Sequence, residues 1–534
     1  MKAYKPVVLI VMDGFGVSLE EKGNPVALAK KPTLDLFDAN FPMTTLQASG
    51  VAVGLPWGEA GNSEVGHLTM GTGRINYHHL PRIIYSIRDG SFFENPAFLH
   101  AAEHVKKNNS KLHIIGLVSS GSVHSYIDHL YALLKFVELQ GLAQAFLHVI
   151  TDGKDSPPQE GVKFLAQLEE RMIKEFPQTK IASVVGRFFA MDRDEKWDRI
   201  EKAYQLWTEA KGSPITNISE YVSSEYQNGR SDEFVEPGYV APNNAPLATI
   251  HDGDAAIIFN FREDSVREIS HALIDQVFDR FPRTQVADLF LATMTMYEDS
   301  LAAEAAFPPL QVSYPLARVI SDAGLRQLHI AETEKYAHVT YFFNGGREKP
   351  FPSEERILVS SISTAHFDEV PEMKAADITA KVIAELPRHD FVLVNFANAD
   401  VVGHSGNQAA AIKAVESVDR CIGEIYEAVA REGGVLVVTG DHGNVEAKRN
   451  LLTGERLTEH SLNPVPFYLV GADFRVSVAR SRDEVIKQKK ETGGILTDVA
   501  PTIIELMGLK KPLEMTGSSL LPMLISQHFV HPVS

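Results

Sequence analysis

The 534-residue chain contains one cysteine, Cys421, which excludes an intramolecular disulfide framework and fits a reducing compartment. Positive charge is short as well. Against 51 Lys and Arg stand 69 Asp and Glu, a formal net charge of -18, which argues against nucleic acid or an anionic membrane as the main partner. No apolar run approaches the roughly 20 residues that span a bilayer. The N-terminal run in MKAYKPVVLIVMDGFG has the length of a buried strand, not of a signal core, and ends on an acidic residue. These absences lead to the expectation of a soluble cytoplasmic protein, and with 44% of residues hydrophobic and 22% charged the chain can build a core. The length exceeds the size at which single cores stop growing, so two domains are expected.

Apolar runs of four to eight residues recur, each ending in polar or glycine-rich sequence: VVLIVMDG (7–14), LHIIGLVSSG (112–121), FLHVITDGKD (146–155), IASVVGR (181–187), AAIIFNFR (255–262), FVLVNFANAD (391–400) and VLVVTGDHG (435–443). Between them lie helix-patterned segments such as IDHLYALLKFVELQG (127–141) and 409–434, the latter closing on a glycine pair suited to a C-cap. Strands alternating with amphipathic helices predict α/β architecture with largely parallel sheets. Ligands of such sheets sit beyond the carboxyl ends of the strands. The residues there fall into two sets. Asp13, Asp400, Asp441 and His442 follow runs at the two ends of the chain, whereas Asp152, Lys154, Asp155, Arg187 and Arg262 follow runs in the middle. An outer domain built from both termini, with an inner domain inserted, is the simplest arrangement. The polar, turn-rich stretch 216–246 reads as a surface excursion of the inner domain.

The outer set reads as a metal site. Asp13, Asp441 and His442 arrive at strand ends, FANADVVGHSG adds Asp400 and His404, and TEHSLNPVPF adds His460. Carboxylates with imidazoles and no thiolate suit Mn²⁺ first, with Zn²⁺ or Co²⁺ behind it. Three Asp and three His exceed the needs of one ion; two ions roughly 4 Å apart would share them and suit phosphoryl transfer. Such a site would also activate Ser63 in GNSEVGH (61–67), a loop-like stretch with little to contribute to a core. An alcohol is a weak nucleophile until a base or a metal lowers its pKa.

The combined motifs resemble the cofactor-independent (2,3-bisphosphoglycerate-independent) phosphoglycerate mutases of the alkaline phosphatase superfamily. Matching segments, in the family's order, include GNSEVGHLTMGTGR (61–74), VHSYIDHL (123–130), GRFFAMDRD (186–194), DGDAAIIFNFRED (252–264), ETEKYAHVTYFFNGG (332–346), NFANADVVGHSG (395–406) and TGDHGNVE (439–446). The resemblance implies an alkaline-phosphatase-like parallel-sheet domain, about 1–77 and 312–534, with a smaller α/β transferase domain inserted at about 78–311. It implies two divalent ions, commonly Mn²⁺, one on Asp400, His404 and His460, the other on Asp13, Ser63, Asp441 and His442. Ser63 corresponds to the transiently phosphorylated residue, and Lys335 to the group that offsets charge on the phosphoryl oxygens. The implied substrates are 3-phosphoglycerate and 2-phosphoglycerate, interconverted in glycolysis and gluconeogenesis without bisphosphoglycerate by a monomer.

Arginine forks bind phosphate and carboxylate in bidentate fashion. Arg187, Arg193 and Arg262 match the family's substrate-binding arginines, with His124 and Asp155 also at matching positions and Asp155 the candidate base. Asn62 is a candidate donor to the phosphate. The family's Asp-Gly-Arg-Asp is here Asp152-Gly153-Lys154-Asp155, which keeps the charge and loses the fork, and Ser265 stands where the family has a phosphate-binding arginine. Arg267, two residues on, is the expected substitute. Phosphoserine must be shielded from water, so domain closure is expected, with hinges near 76–80 and 308–314. The outer site alone would also fit a phosphopentomutase or phosphomonoesterase; VHSYIDHL and GRFFAMDRD favour the mutase.

Overall fold

Each of the seven apolar runs forms a strand in the computed structural model, which describes residues 3–309 and 312–526. The chain divides into two units: His79–Pro309 forms one, and the segments before and after it form the other. The expected hinge at 308–314 includes residues 310 and 311, which lie outside the described residues.

The unit built from both chain ends holds an eight-stranded sheet among its described residues. Its strands run in the order Glu354–Val359, Gln327–Glu332, Phe391–Phe396, Val7–Met12, Val435–Gly440, Val465–Val470, Met43–Gln47 and Thr492–Ile495. The first five are mutually parallel, and Val465–Val470 is antiparallel to both of its neighbours. Alternation along Val7–Met12 shows why the central strands read as unbroken apolar runs. Val8, Ile10 and Met12 face a core that includes the long helix Gln408–Arg431, whereas Val7, Leu9 and Val11 face a core that includes Val499–Leu506. The long helix presents Ala411, Val415, Val418, Ile422 and Ile425, all at most 1% exposed, at spacings of four and three that keep them on one stripe. Burial of each Ile or Val in that stripe is worth about 1.5–3 kcal/mol. Asn407 caps the helix by accepting the Ala410 N–H at 3.3 Å, and Gly433, at φ +68°, turns the chain away past its end.

The unit His79–Pro309 carries a second eight-stranded sheet, ordered Glu304–Phe307, Phe290–Thr295, Ala255–Ile258, Leu112–Leu117, Ala145–Thr151, Thr179–Gly186, Gly238–Val240 and Ser213–Ile215. Only the pairing of Thr179–Gly186 with Gly238–Val240 is antiparallel among these described strands. The stretch 216–246 differs from its reading as an excursion. It contains the helix Ile218–Gln227 and the strand Gly238–Val240, and it buries Ile218, Val222 and Val235. Apolar residues are sparse there, but three at buried positions suffice to dock it against the sheet's core.

A chain of buried polar groups crosses this sheet. Asp254 Oδ2 lies 3.2 Å from His113 Nε2, His113 Nδ1 lies 2.8 Å from His148 Nε2, and His148 Nδ1 lies 2.7 Å from Ser183 Oγ. Burial pushes His113 and His148 below the ordinary histidine range despite Asp254. His129, on the helix Ile127–Gln140, is held down to about 3 by burial alone, and neither of its ring nitrogens meets a hydrogen-bond partner. A depressed folded pKa means that the unfolded chain takes up protons first. Stability is therefore lost as pH falls below about 6.5, by about 1.4 kcal/mol per pH unit for each such group. Accordingly, His129→Leu should raise the melting temperature more at pH 5 than at pH 7 in calorimetric scans; an equal shift at both would contradict this account.

Candidate active site

Four adjacent parallel strands of the first sheet, Gln327–Glu332, Phe391–Phe396, Val7–Met12 and Val435–Gly440, end at one edge. Past those ends follow, in the same order, Lys335, Asp400, Asp13 and the pair Asp441-His442. His404 comes one helical turn after Asp400, and His460 comes from the connection into Val465–Val470.

GNSEVGH is not a loop. Ser63–Thr72 is a ten-residue helix, and Asn62 caps it by accepting the Val65 N–H at 3.0 Å. Periodicity misses this helix because its glycines serve close packing: a Cβ on Gly66 would lie 2.7 Å from the Asp441 carbonyl oxygen. Gly14 is constrained twice, by a φ of +66° and by a Cβ position 2.7 Å from Asp400 Cα. These approaches bring Ser63, in the first turn of its helix, into the cluster.

Ser63 Oγ lies 3.0 Å from Asp13 Oδ1 and 3.1 Å from His442 Nε2, and accepts from Lys335 Nζ at 2.6 Å. Lys335 Nζ also stands 2.6 Å from both Asp13 Oδ1 and Asp400 Oδ2. Burial alone would lower the lysine's pKa, but Asp13, Asp400 and Asp441 outweigh it and drive it upward. Against burial, Lys335 holds Asp13 and Asp400 well below the usual carboxylate range. His442 is lifted to about 9, burial being overcome by Asp441, Asp13 and Asp400.

The residues present fit divalent cations. Asp400, His404 and His460 offer ligand atoms within 4.8 Å of one another, and so do Asp13, Asp400 and His442. With the imidazoles neutral, as ligation requires, three buried carboxylates face one lysine, an excess of negative charge that is costly in an interior without further cations. Asp441 Oδ2 is buried without a hydrogen-bond partner. Each imidazole has Nδ1 near a carbonyl oxygen: His404 at 2.8 Å from Thr458, His460 at 2.7 Å from Gly61 and His442 at 3.3 Å from Gly443. That pattern turns the three Nε2 atoms inward, as metal-ligating histidines require. His404 Nε2 and His460 Nε2 approach to 3.1 Å, each within 3.3 Å of Asp400 Oδ1.

Strand-end reasoning misses two members of the surroundings. His67 lies one turn after Ser63, its Nδ1 2.8 Å from the Ser63 carbonyl oxygen and 3.3 Å from Asp441 Oδ2. Asn395 donates to Asp13 Oδ2 at 2.7 Å and stands 3.0 Å from His67 Nε2. The spacing of four between Ser63 and His67 was the available signal; Asn395, inside a strand, gave none.

In the other unit, the ends of Ala255–Ile258, Leu112–Leu117, Ala145–Thr151 and Thr179–Gly186 open on a cavity of about 210 Å³ lined by His124, Lys154, Asp155, Arg187, Arg193 and Arg262. Arg187 pairs with Asp152 at 2.7 Å and Asp155 at 2.5 Å. Asp264 gathers Arg193 at 2.7 Å, Arg262 at 3.2 Å and the Ser265 hydroxyl at 3.0 Å. Burial, reinforced by Arg187, lowers His124. Arg267 is not brought into this cavity. It opens the helix Arg267–Ile274, gives its Nε hydrogen to the Tyr297 carbonyl at 2.8 Å, and lines a neighbouring cavity instead. Arg199, which strand ends could not reveal because it belongs to the helix Trp197–Glu209, does line the cavity; it stacks on Phe188 at 3.9 Å and pairs with Asp192 at 2.8 Å.

A largely parallel sheet with this ligand set at its carboxyl edge defines an alkaline-phosphatase-like enzyme that uses divalent metal ions. Residues 83–299 match the family described as the BPG-independent PGAM N-terminus, and residues 301–492 match type I phosphodiesterase / nucleotide pyrophosphatase. The chain is 44% identical over 518 residues to a 2,3-bisphosphoglycerate-independent phosphoglycerate mutase of Moorella thermoacetica, covering 97% of this chain and 98% of the relative. It is 45% identical over 535 residues to 2,3-bisphosphoglycerate-independent phosphoglycerate mutase 2 of Methanosarcina barkeri, covering 97% and 99%. A solved phosphoglycerate mutase of Leishmania mexicana, determined at low cobalt concentration, superposes with a TM-score of 0.55 at 31% identity over 96% of this chain and 97% of that one. The chain belongs to the 2,3-bisphosphoglycerate-independent phosphoglycerate mutase family.

Because the donor set is present only in the folded chain, added Mn²⁺ should stabilise it by about 2.7 kcal/mol at a hundredfold excess over Kd, with EDTA reversing the gain. Calorimetry reads this effect; a melting temperature indifferent to both reagents would contradict the fit.

Proposed function

We propose that the chain interconverts 3-phosphoglycerate and 2-phosphoglycerate, without bisphosphoglycerate, through a phosphoserine at Ser63. The observation that carries this reading is the place of Ser63 Oγ, 2.6 Å from Lys335 Nζ, 3.0 Å from Asp13 Oδ1 and 3.1 Å from His442 Nε2. The names of its relatives support the substrate. Two divalent ions, Mn²⁺ ahead of Zn²⁺ or Co²⁺, would, when bound, supply Lewis acidity for holding the phosphate and favouring an ionised serine hydroxyl. Asp400, His404 and His460 would hold one, and Asp13, Ser63, Asp441 and His442 the other.

Ser63 Oγ attacks phosphorus in line, the bond from phosphorus to the substrate's 3-oxygen breaks, and the proton given up by the serine hydroxyl is taken by that oxygen, leaving glycerate. The Lys335 ammonium offsets charge growing on the phosphoryl oxygens. Asn62 has committed its side-chain oxygen to the helix cap, which leaves its amide to donate to the phosphate. Arg187, Arg193, Arg262 and Lys154 hold the glycerate carboxylate, with His124 beside them. Without substrate, Asp264 occupies Arg193 and Arg262, so the bound anion replaces one carboxylate by another. For the return step the glycerate 2-hydroxyl passes its proton to Asp155 and attacks the phosphoserine; the bond from phosphorus to Ser63 Oγ breaks, and the freed serine oxygen regains that proton. The proposal extends to a monomer in the cytoplasm, a reducing compartment that the single, buried Cys421 suits.

In ³¹P NMR, the Mn²⁺-loaded protein given 3-phosphoglycerate and no bisphosphoglycerate should produce 2-phosphoglycerate. Inorganic phosphate as the sole product, or no change, would reject the proposal, as would a Ser63→Ala variant retaining more than about a thousandth of the rate. The clamp has its own test: Arg262→Gln should raise KM about tenfold, as expected for the loss of one charge-assisted bond, and Arg267→Gln should leave it within about twofold. Since protons compete with metal for the imidazoles, activity should fall on mild acidification and recover with excess Mn²⁺; a pH profile blind to Mn²⁺ concentration would contradict the ligand assignment.

A further inference from the structure

Lys448 is 2% exposed, and no carboxylate lies within ion-pair distance of its ammonium among the described residues. Its Nζ instead donates to the Gly403 carbonyl at 3.3 Å, to the Glu459 carbonyl at 3.4 Å and to Asn444 Oδ1. An ammonium has three N–H groups, and here each has an acceptor. The acceptors are not a random set. Gly403 immediately precedes His404, and Glu459 immediately precedes His460. Asn444 in turn donates through Nδ2 to Asp400 Oδ1 at 2.7 Å and to the Asp400 carbonyl at 3.3 Å. One cation thus stands a single residue away from each of Asp400, His404 and His460, which belong to two separate segments of the chain.

We propose that Lys448 is a positioning residue for the ion site of Asp400, His404 and His460, the inference resting on the reading of those three residues as metal ligands. Its own backbone is anchored, the N–H to the Gly23 carbonyl at 2.9 Å and the carbonyl to the Leu457 N–H at 3.1 Å, so Nζ is a fixed point and not a mobile tip. Burying an ammonium is costly unless its donors are satisfied, and a positive charge near a cation site repels the incoming ion. Both costs would favour an apolar residue if packing were the only need. What an apolar residue cannot do is hold two backbone carbonyls and a side-chain amide at one point. Because the partners are neutral carbonyls, Lys448 draws off none of the Asp400 charge, which already faces Lys335.

The test is an EPR titration of metal-free protein with Mn²⁺, counting free and bound ion. The wild-type chain should bind two Mn²⁺. Folded Lys448→Met should bind one with wild-type affinity and the other 10–100-fold more weakly, and adding His460→Ala to it should weaken the surviving site no further. If Lys448→Met fails to fold by circular dichroism, Lys448→Gln, which keeps a donor but loses the charge, is titrated in its place. Two sites within threefold of wild type, or two sites weakened alike, would overturn the inference, since a merely structural lysine would not select one site. A wild-type chain that binds no Mn²⁺ would overturn the metal reading itself, and this inference with it.

Discussion

The constraint on which the first unit depends is the burial of three carboxylates, Asp13, Asp400 and Asp441, around one ammonium, Lys335. Isolated charges of that kind would cost several kcal/mol each in an interior, so the arrangement persists only where opposite charge is supplied at close range. Much of the local architecture follows from this. Four parallel strands end together so that the groups converge, glycines at 14 and 66 let backbone approach where a side chain would clash, and the amides of Asn395 and Asn444 donate to Asp13 and Asp400.

The second unit handles charge differently. Its arginines are kept in pairs with aspartates at the cavity wall, and Asp264 holds two at once. A cavity of this kind is preorganised for an anion without carrying unpaired charge in its absence. Serine at 265 places a hydroxyl on Asp264 where a longer basic side chain would compete for the same carboxylate. Arg199, stacked on an aromatic ring, adds a further guanidinium to the wall.

Strand periodicity was the most legible feature of the sequence, because residues buried on both faces of a parallel sheet leave unbroken apolar runs, and the runs point to the residues beyond them. All seven runs are strands, three in the first sheet, at whose edge Asp13, Asp400, Asp441 and His442 gather, and four in the second, which opens on the arginine-lined cavity. Three things were hidden. The helix at Ser63 is built for close approach, so glycines replace the apolar stripe that would announce it. The helix and strand within 216–246 rest on a few apolar residues set among polar ones. Arg267 looked near enough in sequence to stand in for an arginine at 265, but the start of a helix at that residue commits its guanidinium elsewhere. Side-chain direction within a turn is set by backbone geometry, which residue counting does not supply.

The position of Ser63 in the first turn of Ser63–Thr72 has a bearing on reversibility. Peptide dipoles aligned along a helix place about half a positive charge at its N-terminus, and a negative group there gains roughly 0.3–1 kcal/mol. A phosphate joined to Ser63 brings nearly two negative charges to that end of the helix. The field is fixed in the fold and needs no rearrangement when the charge arrives. For the phosphoserine proposed above, it would lower the energy of the intermediate toward that of the phosphate esters on either side and so favour transfer in both directions.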